Sequence, residues 1–203
     1  MPGRDYVSLI SADNFGLGLI GARLLAPHVP HGGSVGVLSC HFEFFVAEQR
    51  EIAFRKWMAA ARPDISLLTV RFHKLSQVAA AVDRCLSDHP ELAGLFAVRD
   101  TPAIEALAVL RAHNKALPVT TIDLGLAIAT ALAAGGCVKG IGAQQPYDQG
   151  STVATAAIAA LLGRTVPAWI VLPALDVTRE RVVDTYRSVW HAPAPPDLIA
   201  LVR

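Results

Sequence analysis

The sequence predicts an α/β protein: one parallel β-sheet with helices on both faces, a Rossmann-like lobe. Three observations lead there. Short apolar runs alternate with longer periodic segments about seven times along the chain. The runs are continuously apolar rather than alternating, as strands covered on both faces require. Gly and Pro residues mark the boundaries between segments.

Taken in order, residues 6–10 read as a strand. Asn14 is placed to cap a helix over 15–26, which stops near Pro27. Gly32-Gly33 turns into a buried strand at 34–39. A helix over 44–61 ends at Pro63, a strand follows at 65–70, and a helix over 75–87 closes at His89-Pro90. Next come a strand at 94–98, a helix from Pro102 to about His113, a strand at 118–122 and a short helix at 126–134. Gly135-Gly136 turns into a strand at 138–143. An Ala-rich helix over 147–162 ends at Gly163, and a strand at 168–172 precedes a last helix over 178–190. A Pro-rich tail starts at Ala192. Ligands of such sheets sit beyond the carboxyl ends of the strands, so those positions are where a site is sought.

Composition narrows the function. With 53% apolar and 17% charged residues, the 203-residue chain can bury one core, or one and a half small ones. The net charge of +1 gives no pull toward nucleic acid or anionic membrane, so no nucleic-acid role is expected. Cys40, Cys85 and Cys137 share no CxxC spacing and read as buried structural thiols, not metal ligands or a disulfide framework. None of His28, His31, His41, His73, His89, His113 and His191 falls in an HxH or HExxH pattern, and solvated loop positions are expected. Ser39-Cys40-His41 lacks the Gly-x-Ser-x-Gly elbow of a nucleophile. No phosphate-cradling glycine loop follows a strand. The expectation is a non-enzymatic chain with no metal and no cofactor.

The chain enters a strand soon after Met1, with no apolar signal-peptide core, and no apolar run reaches the ~18 residues of a membrane span. It is expected to be soluble. The location is cytoplasmic if Met1 is the native start, and periplasmic if the chain belongs to an exported parent.

Six segments then carry a resemblance. They are Asp13-Asn14-Phe15-Gly16-Leu17-Gly18 with Ala22; Arg50-Glu51-Ile52-Ala53-Phe54; Asp88-His89-Pro90-Glu91-Leu92 with Leu95-Phe96-Ala97; Pro118-Val119 through Ile122-Asp123; Gln144-Gln145-Pro146-Tyr147 with Gln149-Gly150; and Gly163-Arg164-Thr165-Val166-Pro167. Each alone is weak. In this order they resemble the ribose/galactose-type sugar-binding proteins of the type I periplasmic binding protein superfamily, and the related lactose-repressor effector domains.

The resemblance implies a C-terminal-type ligand-binding lobe over 12–144. It makes 1–11 and 145–203 remnants of the N-terminal lobe and the hinge crossovers, most of that lobe being absent. It implies a solute-binding protein of an ABC transport system, truncated to about one lobe, with a sugar or sugar-like ligand and an ABC permease as partner. A cytosolic lactose-repressor-type sensor, or a remnant that only oligomerises, are the alternatives.

Site residues follow position by position. Asp123 matches an aspartate that accepts hydrogen bonds from sugar hydroxyls; capping the helix at Leu126 is the plainer role. Gln144 matches a two-way hydrogen bonder, or else serves the hinge. Phe72 matches a cleft-lining aromatic, or else packs in the core. Glu48 stands where an Arg that grips ligand is expected, and Arg99 where an Asn is. The two either pair across the cleft or fit a different ligand, including one with a carboxylate. Arg50 reads as structural, and Gly16-Leu17-Gly18 as a site of close helix packing. The helix at 147–162 carries Val153, Ala154, Ala157, Ile158, Leu161 and Leu162 on one apolar face with nothing to cover it, so a homodimer is expected.

Overall fold

The computed structural model describes residues 5–40 and 45–202. The chain runs β1 (Leu9–Ala12), α1 (Asn14–Leu25), β2 (Ser34–Cys40), α2 (Phe45–Ala61), β3 (Ser66–Phe72), α3 (Val78–Asp88), β4 (Leu92–Ala97) and α4 (Asp100–Ala112). It continues through β5 (Val119–Ile122), α5 (Leu126–Ala133), β6 (Val138–Ala143), α6 (Pro146–Leu161), β7 (Trp169–Leu172), β8 (Leu175–Val177), α7 (Val182–Trp190) and α8 (Pro196–Ala200). His41 and Phe44 lie outside the described residues.

Six strands pair in the order β3-β2-β4-β5-β6-β8. All neighbours among β2 to β6 are parallel, while β8 runs antiparallel to β6. The chain winds from β2 out to β3, then crosses back to place β4 on the other side of β2. That reversal puts α1 and α2 over one face and α3, α4 and α5 over the other. Side-chain alternation along the strands feeds both layers: Val37 and Phe96 point to the first, Leu38, Leu95 and Ala97 to the second. β2 is buried along nearly its whole length, as its unbroken apolar run requires, whereas edge strand β3 is half exposed.

Close packing of α1 against α2 explains the glycines of the first motif. A Cβ on Gly18 would collide with the Arg50 carbonyl oxygen, so only glycine lets the helices approach this closely. Phe54 of α2 stacks on Phe96 of β4 with centroids 4.1 Å apart, filling the space beneath. Thr120, fully buried in β5, satisfies its hydroxyl by donating to the Gly21 carbonyl at 2.9 Å.

Three expectations need correction. The single sheet is two: β1 pairs with β7 in a separate parallel ribbon. Asp13, not Asn14, caps α1, its Oδ1 accepting from the Gly16 amide at 2.7 Å. The third concerns the boundary drawn at 144. Residues 175–202 are not peripheral. β8 extends the large sheet, and Val177, Val182, Val189, Ala194 and Leu198 are buried in its core. Trp190 Nε1 donates to the Leu124 carbonyl at 2.9 Å, and Arg179 Nε to the Ala133 carbonyl at 2.8 Å. The short β8 and α8 escaped notice because each gives too few residues to show a period.

Candidate functional site

The carboxyl ends of β1, β4, β5 and β6 converge on a cleft of about 680 Å³. Its floor is a chain of polar side chains. Asn14, at the start of α1, accepts from Arg50 Nε at 3.2 Å. The Arg50 guanidinium, almost wholly buried, donates from Nη1 to the Val98 carbonyl at 3.0 Å. It also forks onto Asp123, Nη1 to Oδ2 and Nη2 to Oδ1, both at 3.3 Å. Gln144 Nε2 donates to Asp123 Oδ1 at 2.7 Å, and Gln149 Nε2 donates in turn to Gln144 Oε1 at 3.3 Å. Each residue stands where a strand gives way to a loop or helix, except Arg50, which reaches in from α2, and Gln149, one turn into α6.

Asp123 holds φ = 77°, a left-handed conformation that Asp tolerates better than most residues. That backbone turn aims its carboxylate at Arg50 and Gln144, not at α5. Gly125, the residue before α5, instead sends its amide to Asp100 Oδ2 at 3.2 Å. Helix capping is therefore not what Asp123 does. Burial above all draws the Arg50 guanidinium below its ordinary value; Asp123 pulls it back up, and the nearby Arg99 charge lowers it further.

Above the floor the walls are apolar. Tyr6, Phe45 and Trp169 line the cleft and remain substantially exposed, with Leu9 and Ile10 between them. Trp169 Nε1 donates to Ser11 Oγ at 2.9 Å, which fixes the indole across the β1–β7 ribbon.

Of the five residues named from sequence, Asp123, Gln144 and Arg99 line this cleft. Phe72 does not. It is buried at the end of edge strand β3 and walls a neighbouring cavity of about 550 Å³, which also touches Arg99. Glu48 is exposed on α2 and lines neither cavity. No Glu48–Arg99 ion pair exists among the described residues, so the two departures do not compensate each other.

Sequence reasoning assigned Arg50 to the scaffold and left out Asn14, Gln149 and Trp169. Asn14 stands just beyond the carboxyl end of β1, which is the signal that selected Asp123, whereas Trp169 opens β7 at its amino end, where that signal does not look. Arg50 gives no such signal, because a helix-borne arginine is ordinarily solvent-facing. Cys85 is a buried free thiol and Cys40 and Cys137 are half-buried ones. Among the described residues no cluster suits a metal ion, and no helix is long and apolar enough to cross a membrane.

An open doubly wound sheet with a polar floor beyond its strand ends defines a small-molecule-binding lobe. The chain belongs to the periplasmic binding protein domain family, whose match runs over residues 1–165. None of the curated proteins matches it.

Solved structures share the fold. A solute-binding protein of an ABC transporter from Agrobacterium vitis, bound with α-D-tagatopyranose, superposes with a TM-score of 0.81 at 22% identity, covering 93% of this chain and 64% of that one. A second from Agrobacterium vitis, with bound allitol, gives 0.80 at 19% identity, covering 92% of this chain and 68% of that one. A third from Actinobacillus succinogenes 130z, with bound D-allose, gives 0.79 at 22% identity, covering 87% of this chain and 64% of that one. The chain thus spans about two thirds of the length of these structures.

Proposed function

We propose that the chain is the ligand-holding part of a carbohydrate-type solute-binding protein of an ABC transport system. The lobe comprises residues 12–144 together with 175–202; β1, β7 and α6 are elements of a second, incomplete lobe. The observation that carries the reading is the Arg50–Asp123–Gln144 network at the cleft floor, roofed by aromatic rings. A fixed fan of donors and acceptors reads the positions of hydroxyl groups, and flat rings take the apolar face of a sugar ring. The tagatopyranose, allitol and allose held by the fold neighbours support the same ligand class.

In this reading Asp123 and Gln144 contact ligand, and Arg50 holds Asp123 in place. Phe72 and Glu48 stand outside the contact set. The transport partner is a permease, and the location is the periplasm of an exported parent. One lobe supplies half the contacts, so affinity is weak. A second copy of the chain is the proposed partner for α6, whose apolar face is uncovered.

Calorimetry against ribose, galactose, tagatose and allitol tests the proposal. Binding is expected for at least one, at millimolar to high-micromolar strength. Asp123→Asn keeps the side chain's size and its tolerance of positive φ while removing the charge; it is expected to weaken binding about tenfold or more. Undiminished binding in a variant that melts as a folded protein rejects Asp123 as a ligand contact. No heat with any of the four in the parent chain rejects the carbohydrate reading.

A further inference from the structure

The charges lining the cleft do not balance. Among the described residues, three that line it carry ionisable side chains: Arg50, Asp123 and Arg99. Arg50 and Asp123 neutralise each other through their twin hydrogen bonds. Arg99 is exposed at the end of β4; its carbonyl accepts from the Ala103 amide, but its guanidinium has neither a hydrogen bond nor an ion pair among the described residues. Among the described lining residues the charges therefore sum to +1; Asp100 acts on Arg50 from behind the lining, where its carboxylate holds the Gly125 amide.

Hydrogen-bonding capacity is skewed the same way. Asp123 Oδ1 already accepts from Arg50 and Gln144, and Oδ2 accepts from Arg50. Gln144 Oε1 already accepts from Gln149. A carboxylate offers about four acceptor positions and a guanidinium five donors. Most acceptors on the floor are thus consumed, while the Arg99 fork meets no partner among the described residues.

A neutral polyol offers as many donors as acceptors and gains nothing special from such a wall. An acceptor-rich anion does. A planar guanidinium matches a carboxylate in two parallel N–H···O bonds, stronger than bonds between neutral partners. An anion would also relieve the mutual repulsion of Arg50 and Arg99, two cations facing one cleft. The walls supplied by Tyr6, Phe45 and Trp169 leave room for a ring or carbon chain bearing that carboxylate.

We infer that the cleft selects a carboxylated solute, a sugar acid of the uronate or aldonate type, and that Arg99 is the residue that grips its carboxylate. The inference deepens the carbohydrate reading above and rests on it for the sugar portion of the ligand.

The test pairs each acid with its neutral counterpart: galacturonate with galactose, gluconate with glucitol, measured calorimetrically at low salt with the full chain. Lactate serves as a carboxylate without a sugar frame. The acids are expected to bind about tenfold more tightly than their partners, as a charge-assisted bond in place of a neutral one allows. That advantage is expected to shrink as salt is raised. Arg99→Gln is expected to bring the ratio of acid to neutral affinity to about one. The Arg99 side chain is exposed and without a partner among the described residues, and the substitution leaves its backbone bond from Ala103 in place, so this variant is expected to melt with the parent chain.

Equal affinity for acid and neutral sugar in the parent chain overturns the inference and leaves the carbohydrate reading standing. An acid preference that survives Arg99→Gln overturns the role of Arg99. Lactate bound as tightly as galacturonate, with Arg99 needed for both, upholds the anion grip and removes the sugar. Silence from all five ligands overturns the inference, and together with silence from ribose, tagatose and allitol it overturns both readings.

Discussion

Two helices of similar length, α2 and α6, meet opposite fates. α2 buries Ala47, Arg50, Glu51, Ala53, Phe54 and Met58 against the large sheet. α6 buries none of its sixteen residues. Its Val153, Ile158 and Leu161 stand exposed, the last of them 87% so. The strand beneath each helix makes the difference. α2 lies on β2, flanked by β3 and β4, whereas α6 lies beside a ribbon of only β1 and β7. Two strands give too narrow an apolar surface to cover a four-turn helix. What holds α6 is mostly its first turn. Tyr147 stacks on His191 with centroids 4.1 Å apart, Asp148 meets His191 Nε2 at 3.1 Å, and Gln149 bonds Gln144. The ligand floor is thus bound to the rigid region at one end and to the thin region at the other.

Core truncation gives the largest test of that contrast. Phe96 is fully buried under α1 and stacked on Phe54. Phe96→Ala is expected to lower unfolding stability by about 3–5 kcal/mol, from lost transfer energy plus the cavity left behind. Ile158→Ala truncates a smaller apolar side chain on α6 and, corrected for dimer dissociation, is expected to stay within about 0.5 kcal/mol. Urea denaturation measures both. Comparable losses after that correction would show that α6 is packed within its own copy.

The same contrast marks what the sequence made legible. Strands β2, β4, β5 and β6 were readable because burial on both faces leaves an unbroken apolar run. Asp123 and Gln144 were readable because each follows such a run. The β1–β7 ribbon was seen as two strands but not as a separate sheet, since pairing is a long-range choice that no local pattern records. Phe72 was read as cleft or core, and Arg50 as an anchor of its helix to the sheet, which its bonds to Val98 and Asp123 make it, though not as part of a cleft floor. Which way a helix-borne arginine points depends on where α2 crosses α1, and that is set by Gly18 far along the chain. Whether an aromatic at a strand end faces ligand or core depends on how far the edge strand twists from the site.

An effect of intermediate size comes from the tie between α2 and edge strand β3. Glu51 accepts from Arg71 at 2.6 and 2.8 Å and from Arg55 Nε at 2.8 Å. Burial alone would push its carboxyl up, but the bonds from Arg71 and Arg55 outweigh this and hold it below its ordinary value of 4.5. A carboxylate depressed in the folded state stabilises the fold above its unfolded value, and that contribution disappears as pH falls through the folded one. Glu51→Gln is therefore expected to cost about 1.5 kcal/mol at neutral pH, the worth of a charged hydrogen bond. Its melting curve should approach that of the parent chain progressively below pH 4.5. A gap that stays constant to pH 3 would mean that shape, not charge, makes the tie.

The smallest expected change in stability accompanies the largest expected change in assembly. Val153, Ala154, Ala157, Ile158 and Leu161 of α6 and Leu162 just after it are all exposed, as are Leu9, Trp169 and Val171 on the ribbon. Each of β1 and β7 has one strand partner among the described residues, so each presents an open edge. Contiguous apolar surface beyond several hundred Å² is uncommon on monomers, and a two-fold contact covers the same patch on both copies. Burying ~1,000 Å² of it at about 25 cal/mol per Å² is enough to offset the entropy lost on association. At micromolar concentration, light scattering is expected to give twice the chain's 21.5 kDa. Ile158→Glu with Leu161→Glu places four like charges across a two-fold contact, so the doubly substituted chain is expected at 21.5 kDa. Its urea midpoint, corrected for dimer dissociation, should stay within about 0.5 kcal/mol of the parent chain because neither side chain is buried within one copy. A parent chain already at the single mass rules out the dimer. A substituted chain that unfolds outright shows instead that α6 is packed within its own copy, and then the thin region is not thin.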